Sequence, residues 1–305
     1  MKYNRVLITG ATGLIGQEIV RQCHNLGIDV NYLTTSKSKL SQDNNYKGFY
    51  WNPTKGEIDK TCLEGVDAII NLVGASISKR WTASYKKEIL ESRTKSAELL
   101  QHTIRFNDYN IEHVVSASAI GIYPSNLTKY YDEESQEISK SFLGDVVVAW
   151  ESAVDGFKDL GCKLTKIRIG LVLANDGGAL PEIVKPVKLG AGAAFGSGDQ
   201  WQSWIHLRDL ASLFLYTLEN NLEGIFNGVA PNPVTNKDLT KSVAEVLEKP
   251  LILPNIPKFA MKLFLGEMHI LLFESQRVCS KKIEDEGFQF KFANLKPALE
   301  DLLLE

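Results

Sequence analysis

The sequence predicts an α/β fold, a doubly wound parallel sheet with a smaller C-terminal lobe on the substrate side. Three observations predict it. Short apolar runs alternate with amphipathic segments through the first half, the pattern of βαβ units. The first apolar run ends in a glycine-rich turn, VLITGATGLIG (Val6 to Gly16), that leads straight into a helix-like segment. Beyond about residue 175 the texture changes, and DGGALP, LGAGAAFGSGD and VAPNPVTN form loop-rich stretches between helical ones. Right-handed crossovers between parallel strands then give a Rossmann-like sheet.

Taken in order, the strands are expected at 5–9, 30–34, 68–73, 113–117 and 163–169, where apolar residues run together. Helical spacing appears at 17–26, 85–101 and 145–157. Residues 1–175 are read as the dinucleotide domain, with part of 200–230 packing back on it. Residues 176–305 are read as the substrate-side lobe, including a small C-terminal domain from about 250. Pro254 and Pro257 break the chain before that region, Gly287-Phe288 marks a turn, and a last helix is expected over 296–304. There is no internal repeat.

A chain of 305 residues, 44% of them hydrophobic, can bury a substantial core. Its net charge is −3 with scattered Lys and Arg, which leaves no footprint for nucleic acid or an anionic membrane. Cys23, Cys62, Cys162 and Cys279 lie far apart in no metal-binding spacing and read as reduced thiols. Residues 1–5 run into the first strand without a leader pattern. The apolar run 263–273 is interrupted by Glu267 and His269 and is too short to span a bilayer. These features point to a cytoplasmic protein, monomer or homodimer, with a small-molecule substrate.

Gly10, Gly13 and Gly16 sit between a strand and a helix, the context in which backbone N–H groups approach a pyrophosphate at a helix N-terminus. A P-loop is excluded because no Gly-Lys-Ser/Thr follows. About twenty residues on, a carboxylate would select the ribose hydroxyls of NAD. Here the chain reads Thr34-Thr35-Ser36-Lys37-Ser38-Lys39 instead. Hydroxyls and lysines favour NADP(H) over NAD(H), the alternative being a solvated lysine pair on a loop.

These segments, with NLVG (Asn71 to Gly74), SASAIGIY (Ser116 to Tyr123) and WIHLRDL (Trp204 to Leu210), resemble an extended short-chain dehydrogenase/reductase. More narrowly, KRW at Lys79, SRTKSAELL from Ser92, Trp150-Glu151, DGGAL at Asp176 and the tail GE…LL…SQRV…GFQF resemble its atypical, epimerase-like branch. That branch is labelled NAD-dependent epimerase/dehydratase with a small C-terminal domain of unknown function. The resemblance covers essentially the whole chain and implies an NADP(H) domain beside a sugar-nucleotide-type cleft. It places cofactor contacts on Gly10, Thr12, Gly13, Leu14, Ile15, Thr34, Thr35, Leu72 and Val73, with Gly74 closing the NLVG motif. Glu88, Arg93 and Val172 match further positions lining that site. Arg93 has two expected partners, a phosphate or Glu88 on the same helix.

Competent members of the superfamily carry Tyr-x-x-x-Lys on one helix face, tyrosine moving the proton and lysine lowering its pKa. Aligning Glu151 with the acid that commonly follows places this pair on Leu143 and Val147, which transfer no protons. No tyrosine in the chain has a lysine four residues on. Ser118, at the orienting-serine position, and Tyr123 remain as candidate catalytic groups. Against them stand backbone satisfaction by Ser116 and Ser118 and a packing role for Tyr123. Lys79 and Arg80 are candidates for an anionic substrate or a solvated pair, Trp201 and Trp204 for ring stacking or core, and His206 for structure more than catalysis. Asn227, Val229 and Ala230 resemble the turn flanking the substrate cleft. Two functions follow: an NADP(H)-dependent oxidoreductase or epimerase-like enzyme, or a non-catalytic NADP(H)-binding sensor or partner-binding protein.

Overall fold

Seven parallel strands form the centre of the computed structural model, which describes residues 3–107 and 109–304. Met1 and Lys2, on which the expectation of no leader partly rests, lie outside the described residues. In chain order the strands are β1 (Arg5–Thr9), β2 (Asp29–Thr34), β3 (Tyr46–Asn52), β4 (Ala68–Asn71), β5 (His113–Ala119), β6 (Lys163–Ile169) and β7 (Gly224–Gly228). Across the sheet they lie β3-β2-β1-β4-β5-β6-β7. The order reverses at β1, and in such sheets ligands bind outside the carboxyl ends of the strands at that point. Val6, Leu7, Ile8, Val114 and Val115 are fully buried because helices cover both faces.

The chain enters each helix through a polar or glycine residue. Gly13 precedes α1 (Leu14–Asn25), Thr82 Oγ1 accepts from Tyr85 N at the start of α2 (Ala83–Phe106), and Ser141 Oγ accepts from Gly144 N at the start of α3 (Phe142–Asp155). All three begin two or three residues earlier than apolar spacing indicates, because the cap and not the first apolar residue sets the start.

Two of the seven parallel strands escape the sequence reading. β3 is interrupted by Gly48, where a Cβ would stand 2.5 Å from the Tyr32 hydroxyl. β7 ends in Gly228, where a Cβ would meet Ile167 at 2.8 Å. The expected strand 68–73 stops at Asn71, since the Leu72 and Val73 amides turn to Thr9 Oγ1 at 3.0 and 3.2 Å.

A second core joins α4 (Leu180–Lys188), α6 (Asn236–Val246) and the terminal helix Leu295–Leu304 through Val184, Leu239 and Leu299. Between them α5 (Leu207–Glu219) returns to the sheet side and packs on α1, where Ser212 Oγ donates to Gln22 Oε1 at 3.0 Å. After helix α7 (Lys258–Leu265) the chain returns to the open ends of β5 and β6, where Leu271, Glu274 and Gln276 line one cleft with Ala119 and Ile169. No helix among the described residues is long and apolar enough to cross a membrane.

Candidate functional site

The carboxyl ends of β1, β4 and β5 are stitched by a buried polar row. Thr9 Oγ1 donates to Asn71 Oδ1 at 2.8 Å, and Asn71 Nδ2 donates to Ser116 Oγ at 3.0 Å. Above this row Gly10 adopts φ +74°, and a Cβ there would stand 3.3 Å from Leu72. A Cβ at Gly16 would stand 2.2 Å from the Gly10 carbonyl oxygen, so only glycine lets α1 approach the loop this closely. Gly13 caps α1 with no side chain and the first turn holds no acid, which leaves the amides of that turn for an external acceptor. Gly177 of the DGGAL loop lies against Leu14, and a Cβ on Gly178 would stand 3.1 Å from the Val172 carbonyl oxygen. The fold thus gathers Gly10, Leu14, Leu72 and Val172 around one loop.

At the end of β2, Thr34 Oγ1 accepts from Ser36 N at 3.2 Å, and Ser36 and Ser38 share a hydroxyl contact at 2.9 Å. Thr35, Lys37 and Lys39 are exposed. Lys37 Nζ lies 5.1 Å from the centre of the Tyr50 ring.

Arg93 of α2 folds back over Gly74 and donates through one terminal nitrogen to Ile89 O at 2.8 Å and Ala75 O at 3.3 Å. Its guanidinium lies 5.0 Å from the centre of the Trp150 ring. Glu88, one of its two expected partners, is exposed, and Arg93 forms no ion pair among the described residues. Burial lowers the Arg93 pKa to about 10, which still leaves the group charged at neutral pH. A desolvated cation without a counter-ion favours an anionic ligand.

Under the floor of the cleft, Glu151 of α3 accepts from Arg168 Nε at 2.9 Å, Arg168 Nη2 at 3.1 Å and Ser118 Oγ at 2.6 Å. Burial by itself raises the Glu151 carboxyl, and Arg168 outweighs it, leaving the pKa below the ordinary range. Arg168 Nη1 donates to Tyr123 Oη at 3.0 Å, which in turn donates to Asn227 Oδ1 at 2.8 Å. Burial pushes the Tyr123 phenol up to about 12. Ser118 and Tyr123 are thus committed within this network, 2% and 0% exposed, and neither lines the cleft.

The cleft itself holds about 210 Å3, below the roughly 300–1,000 Å3 of pockets that take whole ligands, so it accepts one ring of a larger molecule. Leu143 and Val147 line one wall, as the alignment on Glu151 expects, together with Trp150. The indole N–H of Trp150 is buried with no hydrogen-bond partner among the described residues. Trp201, Ser203, Glu274 and Gln276 line the same cleft. Trp201 carries the Arg277 guanidinium 4.4 Å from its ring centre, while Trp204 is fully buried and donates to Asn232 O at 2.9 Å. Lys79 and Arg80 are exposed on their loop. His206 stacks on Phe292 at 4.0 Å and meets Asp301 Oδ2 at 3.1 Å, a structural post for the terminal helix.

A glycine-rich turn at the switch point, a parallel sheet and a cleft closed by a C-terminal segment agree with sequence comparison. Residues 6–227 match the model of the NAD dependent epimerase/dehydratase family. The chain belongs to that family. Residues 256–302 match a Domain of unknown function (DUF1731). Among curated epimerase family proteins, SH2119 of Staphylococcus haemolyticus is 37% identical over 97% of this chain and 98% of its own length. The human epimerase family protein SDR39U1, solved with NADPH, superposes with a TM-score of 0.85 at 28% identity over 99% of both chains. The nucleoside-diphosphate sugar epimerase of Corynebacterium glutamicum superposes at 0.77 with 26% identity, over 98% of this chain and 58% of that one.

Among the residues of this epimerase-family cleft to which the sequence reading gives no site role are Trp150, Ser203, Glu274 and Gln276. The SQRV motif in the tail is the sequence signal beside Glu274 and Gln276, but nothing in its residues says that it returns to the strand ends.

Proposed function

We propose that the protein binds NADP(H) and interconverts a carbonyl and a carbinol on a small substrate of sugar-nucleotide type. The observation that carries this reading is the Thr35-Ser36-Lys37 loop, hydroxyls and an exposed cation where an NAD-selective carboxylate would stand. The open first turn of α1 with Thr12 to Ile15 would hold the pyrophosphate, and Thr34, Thr35, Ser36 and Lys37 the ribose phosphate. Leu72, Val73, Gly74 and Val172 would line the path towards the cleft, with Arg93 as the cation beside it. Once bound, the dinucleotide supplies or removes a hydride. The unpaired Arg93 charge and the orphaned Trp150 donor fit such a ligand, and the NADPH in the human relative supports the same reading.

Leu143 and Val147 provide no acid or base, and Ser118 and Tyr123 are bonded below the floor, so proton transfer belongs to another cleft group. The test is NADPH oxidation with a panel of nucleoside-diphosphate keto-sugars and simpler carbonyl compounds. Turnover with NADPH above that with NADH supports the reading. Tight NADPH binding with no turnover across the panel is the result the non-catalytic sensor predicts.

A further inference from the structure

We propose that Glu274, contributed by the C-terminal region, is the acid–base group of the cleft and takes the place of the absent tyrosine–lysine pair. This role deepens the NADP(H)-dependent reading above and rests on it.

The placement is specific. Glu274 follows the short helix Ile270–Phe273 and lines the same cleft as Leu143 and Val147. Its neighbours are fixed on both sides. Ser275 N donates to Ser125 Oγ at 3.0 Å, Ser275 Oγ donates to Asn126 O at 2.9 Å, and Gln276 Nε2 donates to Tyr123 O at 2.7 Å. Trp201 N donates to Ser275 Oγ at 3.0 Å, tying the same segment to another residue of the cleft lining. A backbone pinned this closely holds a functional side chain in one place. Yet the Glu274 carboxyl makes no hydrogen bond or ion pair among the described residues, while the other buried carboxylates at this end are bonded: Glu151 to Arg168 and Glu133 to the Asn227 amide.

An unpaired, half-buried carboxyl is poorly placed for stability and well placed for proton transfer. Burial raises its pKa with nothing to offset it. The other ionisable groups that line its surroundings are Arg93 in the cleft, and Glu137 and Lys140 in an open depression that Glu274 also lines. Lys140 is exposed, and Glu137 is exposed and paired with Lys129. That depression opens to solvent and gives the carboxyl a route for proton exchange.

In the reducing direction, the substrate carbonyl carbon takes a hydride from a reduced nicotinamide dinucleotide as the carbonyl π bond opens. The oxygen takes the Glu274 proton, leaving an alcohol, the oxidised dinucleotide and a Glu274 carboxylate that regains its proton from water. In the oxidising direction the carboxylate accepts the hydroxyl proton.

The experiment pairs two readouts on the full chain, wild type and Glu274→Gln. First, carbon-13 NMR of carboxyl-labelled glutamate follows titration without substrate. The expected result is a resonance titrating above the ordinary glutamate range that is missing from Glu274→Gln. If every raised resonance persists in the variant, the proposal is overturned whatever the turnover. Second, calorimetry and steady-state rates are compared. Glu274→Gln is expected to keep NADPH affinity and Tm while kcat on the carbonyl panel falls about 100-fold or more. Retained kcat with normal NADPH binding overturns Glu274 alone. Absence of NADPH binding by the wild type overturns the cofactor reading on which it stands. If the wild type turns over no panel carbonyl, the titration alone decides.

Discussion

The Arg93 guanidinium lies 5.0 Å from the centre of the Trp150 ring, joining α2 to α3 in the lining of the cleft with no carboxylate among the described residues to neutralise it. In the proposed complex a bound anion neutralises that charge. Arg93→Ala is expected to weaken NADPH binding about 10- to 100-fold, the loss of a charged hydrogen bond worth roughly 1.5–3 kcal/mol. Titration calorimetry checks it, and unchanged affinity would make Arg93 a packing residue of α2. Because its pKa of about 10 lies far above neutrality, this contribution is expected to be flat from pH 6 to 8.

The Glu151–Arg168 pair makes a different prediction. Arg168→Met strips two charged hydrogen bonds from the buried Glu151 carboxylate and leaves it Ser118 and the Lys166 ammonium at 3.7 Å, which costs about 3 kcal/mol, the low end for a broken buried pair. Denaturant unfolding should show it as a lower midpoint. Folding holds the Glu151 pKa below its ordinary 4.5, so the pair's contribution is complete above that value and is lost as pH falls towards the folded-state pKa. Arg168→Met should therefore lose part of the wild-type sensitivity to acid below pH 4.5.

His206 acts in a higher window. Burial lowers its pKa from 6.5 to about 4, so the unfolded chain binds a proton there that the folded one refuses. Stability from this group is complete above pH 6.5 and is lost as pH falls towards about 4. His206→Asn retains an acceptor for the Arg208 amide at the start of α5 and should flatten the stability–pH curve across that window. Unfolding midpoints at a series of pH values decide it, and an unchanged slope would show that His206 titrates normally in the fold.

Gly16→Ala tests the glycine loop by geometry alone. The added carbon would lie 2.2 Å from the Gly10 oxygen, a backbone atom, so loop and helix must separate. NADPH affinity should fall at least about tenfold, with stability reduced by the roughly 1–3 kcal/mol of an overpacked site. Gly27→Ala is the comparison, since that glycine follows the far end of α1 and, among the described residues, has no heavy atom within 4 Å of the added carbon; its φ of +72° makes the alanine cost stability without touching the loop. It should leave NADPH binding unaltered.

How far the sequence carries can be judged from particular residues. The Val6–Ile8 run and its glycines mark β1 and the following turn because both depend on neighbours in the chain. Leu143 and Val147 are likewise legible as lining positions once Glu151 sets the register. β3 is not, because Gly48 reads as a break and its real reason is the Tyr32 hydroxyl sixteen residues away. The commitment of Ser118 to Glu151, and of Tyr123 to Arg168 and Asn227, depends on strands brought together only by the sheet. Glu274 is the extreme case: its place in the cleft beside Leu143 and Val147 is set by Ser275 and Gln276 bonding to the 123–126 loop, some 150 residues earlier.

The NADP(H) assignment is tested most directly by calorimetric titration of nucleotide-free protein with NADPH and with NADH, repeated on Lys37→Glu. Tighter binding of NADPH than of NADH is expected, with selective loss of that advantage in Lys37→Glu. Equal affinity for the two, or an advantage that survives the charge reversal, would contradict the assignment of the Thr34–Lys37 loop to a ribose phosphate.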